Sequence, residues 1–224
     1  MVNNTMNDEK TLIAPSILSA DFARMGEEVR DITLSGADLI HVDVMDGMFV
    51  PNITFGPKMV KDIRPHTNLP LDVHLMIEQP WRYLEQFAKA GANYLTVHYK
   101  ACGERLADTL AQIGNLGVKR GLAINPDVPF EIITNCIDQC DLLLIMSVFP
   151  GFGGQKFIDS VLDKIAVASR YIKEHDLKVQ IEVDGGINAK NAAAVAAHGA
   201  NILVAGSAVF GQSDYKKAID ELKV

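Results

Sequence analysis

Short apolar runs alternate along the chain with longer stretches of mixed polarity. The runs fall at 12–18, 38–44, 71–76, 94–98, 119–124, 142–147, 179–184 and 202–205. Each is rich in Val, Ile and Leu and bounded by polar or turn residues, which is the pattern of a buried strand. The stretches between them space their apolar residues as helices do, over 21–35, 56–63, 81–90, 103–116, 129–139, 157–175, 189–198 and 214–222. Asp21 stands where a helix N-cap belongs, and Gly36, Gly91, Gly117 and Gly199 follow helix ends. Strict alternation predicts a parallel sheet, because parallel strands need crossover connections. Eight such units predict an α/β fold, a single-domain (β/α)8 or TIM barrel of eight parallel strands over 11–224. An open doubly wound sheet would place a Gly-rich nucleotide loop after an early strand. The early runs end instead in Pro15-Ser16, His41-Val-Asp43 and His74-Leu-Met76. Residues 1–10 are polar and are expected to form a disordered N-terminal extension.

Bulk properties then narrow the partners. The net charge is −7 and no basic run occurs, which argues against nucleic acid. No apolar run reaches the length of a membrane span, and the N-terminus lacks an apolar signal region. A cytoplasmic protein without a membrane partner is expected. Three cysteines, Cys102, Cys136 and Cys140, give no disulfide framework and fit a reducing compartment. Cys136 and Cys140 read as two helical thiols without a second ligand pair.

Three of the runs carry ionisable residues that do not belong in a hydrophobic strand. Alternate residues of a strand point to opposite faces. One face of these strands holds Ile40, Val42, Leu71, Val73, Val179, Ile181 and Val183. The other holds His41, Asp43, Asp72, His74, Gln180, Glu182 and Asp184. Buried groups of this kind are costly unless they are paired or bind a metal. In a barrel of this class the strand ends converge on one mouth. His41, Asp43, His74 and Asp184 are therefore a candidate set for one divalent metal ion, and the nitrogen and oxygen donors suit Zn, Fe(II), Mn or Co. With a metal polarising a ketone and its neighbouring hydroxyl, two carboxylates permit two-base epimerisation through an enediolate. Strands two and seven are expected to hold Asp43 and Asp184 on opposite sides of the mouth. Met45, Met76 and Met146 lie near the same strand ends, where they would line the site with water-excluding surface.

Glycines mark a second function. Pro150-Gly-Phe-Gly-Gly-Gln155 follows the sixth run, Asp184-Gly-Gly-Ile-Asn188 the seventh and Ala205-Gly-Ser207 the eighth. Such loops let backbone N–H groups approach an anion, and the last two strands of this barrel class carry its usual phosphate site. Neither a dinucleotide fingerprint nor a P-loop is present.

Together these motifs resemble the ribulose-phosphate 3-epimerase family, over nearly the whole chain after residue 11. The resemblance is carried by Ala14-Pro-Ser-Ile-Leu-Ser-Ala-Asp-Phe22, by His41-Val-Asp-Val-Met-Asp-Gly47 with Phe49-Val-Pro-Asn52, and by Asp72-Val-His-Leu-Met76. It continues through Asn125-Pro126, Met146-Ser-Val148 with the Gly-rich loop, Glu182-Val-Asp-Gly-Gly-Ile-Asn188 and Val204-Ala-Gly-Ser207. It implies His41, Asp43, His74 and Asp184 as metal ligands, Asp43 as proton acceptor and Asp184 as proton donor. It implies substrate contacts from Ser16, His74, Gly151, Phe152, Gly153, Gly154, Gly185, Gly186, Gly206 and Ser207. The implied reaction interconverts D-ribulose 5-phosphate and D-xylulose 5-phosphate, in the pentose phosphate pathway or the Calvin cycle. The implied assembly is a homo-oligomer, a dimer or a hexamer.

Two positions depart from the family pattern. Lys100 stands where the family often has Glu, in His98-Tyr-Lys-Ala101, and Phe149 stands where Asn is frequent. Neither removes a proposed ligand. The nearest alternative is a 3-epimerase of a six-carbon ketose phosphate such as allulose 6-phosphate. Related decarboxylases carry Asp-x-Lys-x-x-Asp, and His41-Val-Asp-Val-Met-Asp46 lacks that Lys. A non-catalytic phosphosugar-binding barrel is opposed by the intact Asp43 and Asp184.

Overall fold

All eight apolar runs form parallel strands: β1 (Leu12–Pro15), β2 (Ile40–Met45), β3 (Leu71–Met76), β4 (Tyr94–His98), β5 (Lys119–Ile124), β6 (Leu142–Met146), β7 (Gln180–Asp184) and β8 (Ile202–Ala205). The computed structural model describes residues 10–224. Most of the expected N-terminal extension, residues 1–9, thus lies outside the described residues. The strands form one sheet in the order β1-β8-β7-β6-β5-β4-β3-β2. At the seam Ser16 bridges to His41 in parallel, and the N–H of Asp38 donates to Ile13 O at 2.9 Å. The sheet therefore curls until β1 meets β2, and the barrel is nearly closed.

The two strand faces have different fates. Ile40, Val42, Leu71, Val73, Ile181 and Val183 join the main hydrophobic cluster together with helix residues such as Val29, Ile32 and Leu110. The alternate residues fill the barrel. Its lower part is plugged by Ala14, Tyr94, Leu142, Ile202 and Val204. Above that plug His41, Asp72, Thr96 and Glu182 are fully buried. This polar layer needs space, and Gly121 on β5 supplies it. A Cβ there would lie 2.0 Å from Thr96 Oγ1, across the β4–β5 register pair.

The helices are α1 (Met25–Leu34), α2 (Pro57–Ile63), α3 (Leu84–Ala90), α4 (Tyr99–Cys102), α5 (Leu106–Asn115), α6 (Val161–Glu174), α7 (Ala192–Ala197), α8 (Ser207–Phe210) and α9 (Tyr215–Asp220). Asp21 does cap, but it caps a 3-10 turn, Phe22–Arg24, by accepting from the N–H of Ala23 at 3.0 Å. The expected helix over 129–139 is replaced by two 3-10 turns, Phe130–Ile133 and Ile137–Gln139. Its sequence, Ile132-Ile-Thr-Asn-Cys-Ile-Asp138, consists of weak helix formers, so apolar spacing alone does not carry a helix there. Cys136 and Cys140 accordingly flank a 3-10 turn rather than share a helix. Cys136 Sγ donates to Ile133 O at 3.3 Å and Cys140 Sγ to Cys136 O at 3.7 Å. Burial pushes both thiols up, which leaves them as unreactive packing groups. The helix α6 starts later than expected because the N–H of Ile158 is tied to Ser147 O at 3.0 Å. No described helix is long and apolar enough to cross a membrane.

Candidate active site

The register of β2 against β3 assembles the centre. It sets His41 beside Asp72 and Asp43 beside His74. His41 Nδ1 lies 2.5 Å from Asp72 Oδ2, and its Nε2 lies 3.3 Å from Asp43 Oδ1. His74 Nδ1 lies 3.0 Å from Asp43 Oδ1 and 4.0 Å from Asp184 Oδ2. At the barrel seam Ser16 Oγ donates to Asp43 Oδ2 at 2.6 Å. One donor atom each from His41, Asp43, His74 and Asp184 falls within 4.8 Å of the others. The two carboxylates do not face each other across a diameter, as the strand count had led us to expect. Only β1 and β8 separate β7 from β2 on the shorter arc. The side chains converge all the same, because both project into the barrel mouth.

Electrostatics divide the carboxylates. Burial disfavours charge on Asp43, but the close His41 and the hydrogen bond from His74 prevail and hold it well below the usual carboxylate range. Burial also opposes the cation of His41, yet Asp43 and Asp72 outweigh it and raise the imidazole well above its usual range. Asp184 goes the other way: burial, and then the charge on Asp43, push it up to about 6. The side chains by themselves thus set one firmly ionised carboxylate beside one that is readily protonated.

These donors fit a divalent cation. Buried His41 Nε2 has no hydrogen-bond partner among the described residues. Its other nitrogen is taken by Asp72, the usual outer partner of a ligating imidazole. An unpartnered buried nitrogen facing a carboxylate is costly as it stands and is satisfied by a metal ion.

A single cleft above the centre collects the other predicted residues. Ser16, Asp43 and Asp184 open onto it, with Met45, Met76 and Met146 as apolar lining. Gly151, Phe152, Gly153 and Gly154 wall one side, and Gly185, Gly186, Gly206 and Ser207 another. His41 and His74 lie fully buried beneath. Gly186 lines the cleft at φ +65°, and a Cβ on it would lie 2.4 Å from the N of Phe157, so no side chain is accommodated there. The Gly-rich loop is braced. Asn52 Nδ2 donates to Gly151 O at 2.9 Å, and Gln155 Nε2 donates to Phe149 O at 2.8 Å and Phe152 O at 2.9 Å. The Phe149 side chain is exposed, and Lys100 pairs with Asp127 at 2.6 Å, tying α4 to the loop after β5.

Three interior residues had no assigned role from sequence. Asp72 is one. Glu182 is another: it lies 3.6 Å from His41 Nδ1, and neither of its oxygens has a hydrogen-bond partner among the described residues. Burial, and then the charge of Asp72, raise its carboxyl well above the usual range, so it is stored as a neutral acid. The third is His98, whose Nε2 lies 2.8 Å from His74 Nε2. Burial and the neighbouring His74 hold His98 well below the usual imidazole range. The signal for Asp72 and Glu182 was their place on the polar face; the signal for His98 was its strand-end position.

Comparison with known proteins agrees with the motifs. A model of the ribulose-phosphate 3 epimerase family matches residues 12–210. The chain is 57% identical to a ribulose-phosphate 3-epimerase of Bacillus subtilis, over 94% of this chain and 97% of that protein. It is 47% identical to one of Escherichia coli, over 95% and 94%. It is 51% identical to a chloroplastic ribulose-5-phosphate-3-epimerase of Arabidopsis thaliana, over 95% and 76%. Among solved structures, a mutant tryptophan synthase alpha-subunit from Pyrococcus furiosus superposes with a TM-score of 0.72 at 15% identity, covering 96% of this chain and 98% of that one. That likeness concerns the barrel alone.

Proposed function

Because the chain belongs to the ribulose-phosphate 3-epimerase family and is an enzyme of that family, we propose that it interconverts D-ribulose 5-phosphate and D-xylulose 5-phosphate by two-base proton transfer at C3. The observation that carries this reading is the pairing of an ionised Asp43 with a protonatable Asp184 in one cleft, their oxygens within 4.8 Å. A base must be ionised and an acid protonated to begin the reaction, and pairs of groups whose surroundings drive them apart mark such roles.

Asp43 takes the C3 proton. Its preference for the charged form makes it a weak base in isolation, and the Ser16 hydroxyl and His41 orient it. Asp184 delivers a proton to the other face of the planar intermediate, which inverts the centre. In the reverse direction the two exchange roles. His41, Asp43, His74 and Asp184 would hold one divalent ion of Zn, Fe(II), Mn or Co. When bound, that ion supplies the Lewis acid that offsets negative charge on the substrate's enediolate oxygens. Met45, Met76 and Met146 exclude water from the reacting carbon, which strengthens each of these interactions. The phosphate group rests against Gly185-Gly186 and Gly206-Ser207, covered by Gly153-Gly154.

A coupled assay with five- and six-carbon ketose phosphates tests the substrate. Faster turnover of ribulose 5-phosphate is expected; faster turnover of allulose 6-phosphate would contradict the assignment. Metal binding gives a second check. Below about pH 6 a metal competes with the proton for the Asp184 carboxylate, and His41 holds its own proton to higher pH. Metal affinity of the stripped protein, measured by chelator competition, is therefore expected to rise from pH 5 to pH 8. A flat profile would show that neither group is a ligand.

A further inference from the structure

The two proposed ligand histidines are backed differently. His41 is backed by a carboxylate, Asp72, the common arrangement. His74 is backed by a second imidazole. The Nε2 atoms of His74 and His98 are 2.8 Å apart, a hydrogen-bond distance at which one of the two nitrogens must carry no proton. The rings meet edge to edge, with centroids 4.9 Å apart and planes inclined by 27°. Phe49 packs on the other ring neighbour, 4.8 Å from the His98 centroid. His98 is almost wholly buried, so water cannot substitute as a partner.

The direction of that hydrogen bond follows from the donor set. His74 turns its Nδ1 toward Asp43 and Asp184. A neutral imidazole that gives the Nδ1 lone pair to a metal keeps its proton on Nε2. His74 must then donate and His98 must accept. A neutral His98 that accepts on Nε2 carries its own proton on Nδ1. Asn125 adjoins His98, and its buried Oδ1 has no hydrogen-bond partner among the described residues. That oxygen is an acceptor suited to the remaining proton. Lys164 in turn fixes the backbone here, its Nζ donating to the carbonyls of Asn125 and Pro126, each at 2.9 Å.

We propose that His98 is a positioning residue: it accepts the His74 Nε2–H and so leaves the Nδ1 of His74 free for the metal, an inference that rests on the metal site proposed above. His98 touches neither the cleft nor the reacting atoms; it acts by deciding which nitrogen of His74 is available. Without an acceptor at Nε2, His74 is driven to place its proton on Nδ1, where Asp43 Oδ1 at 3.0 Å receives it, and the ligand position is blocked.

The test reads the proton directly. In nitrogen-15-labelled, zinc-loaded wild-type protein, a coupling across the hydrogen bond should join His74 Nε2 to His98 Nε2, with the proton on His74. In His98→Phe, which keeps an aromatic ring and loses the acceptor, zinc affinity should fall about 10–100-fold. In His98→Gln the amide oxygen replaces the acceptor, and zinc affinity should recover most of that loss. A proton found on His98 Nε2 in the zinc-loaded protein overturns the proposal. So does unchanged zinc affinity in His98→Phe. If His98→Phe does not fold, the wild-type spectrum and His98→Gln still decide. Failure of the metal reading looks different: wild-type protein would bind none of Zn, Mn, Fe(II) or Co at these residues, whatever the state of the shared proton.

Discussion

Asparagine in place of Asp43 or of Asp184 is expected to lower kcat by at least about 10²–10⁴-fold, the usual contribution of a positioned acid or base. Each replacement keeps the shape of the side chain and removes its capacity to carry a proton. The two losses should differ in origin. Asp43 is also the hub of the centre, hydrogen-bonded to Ser16 and His74 and 3.3 Å from His41 Nε2. Asp43→Asn therefore disturbs the orientation of three neighbours as well as removing the base. Asp184 makes fewer contacts, and its elevated proton affinity depends partly on the charge of Asp43. Asp184→Asn should act more purely on proton delivery. Metal content measured in each variant separates lost acid–base chemistry from a lost ligand. A variant with full metal and wild-type kcat would remove that residue from the mechanism.

Stripping divalent ions is expected to abolish turnover, and Zn, Mn, Fe(II) or Co to restore it. Once Asp43 has taken the C3 proton, the negative charge rests on the intermediate's oxygens, and burial leaves little water to disperse it. His41 is the cationic side chain at the centre, and its charge is already engaged by Asp43 and Asp72. Among the described residues, the centre thus offers no free positive charge for the substrate's oxygens. Assay after exhaustive chelation, with metal analysis of the same sample, decides the matter. Full activity in protein shown to be free of metal would contradict the account.

Much of this was legible in the chain because strand period and burial act together. Two-residue alternation put His41, Asp43, His74 and Asp184 on one face, and the parallel register of β2 and β3 then brought three of them into contact. The glycine loops were legible for a similar reason, since Gly185, Gly186 and Gly206 each follow a strand end. What escaped was relational. Asp72 and His98 matter through their partners, His41 and His74, and pairing across strands depends on register, which one strand's pattern does not contain. Glu182 looked like another polar-face residue, and only its depth marks it as a neutral acid. The stretch over 129–139 misled because apolar spacing was read without the low helix propensity of Ile132-Ile-Thr-Asn135. The angle between Asp43 and Asp184 was misjudged, because in a closed ring of eight strands β2 and β7 are three steps apart, one short of a diameter.

The central claim is that C3 loses its proton to one carboxylate and regains one from the other, by way of groups that exchange with solvent. Turnover of ribulose 5-phosphate in deuterated water tests it most directly. Asp184 is partly open to the cleft, so its proton exchanges with solvent between turnovers. Each molecule of xylulose 5-phosphate is expected to carry deuterium at C3, read by proton NMR or mass spectrometry at early conversion. Product formed with hydrogen retained at C3 would contradict two-base transfer and point to a hydride shift or to carbon–carbon cleavage and rejoining.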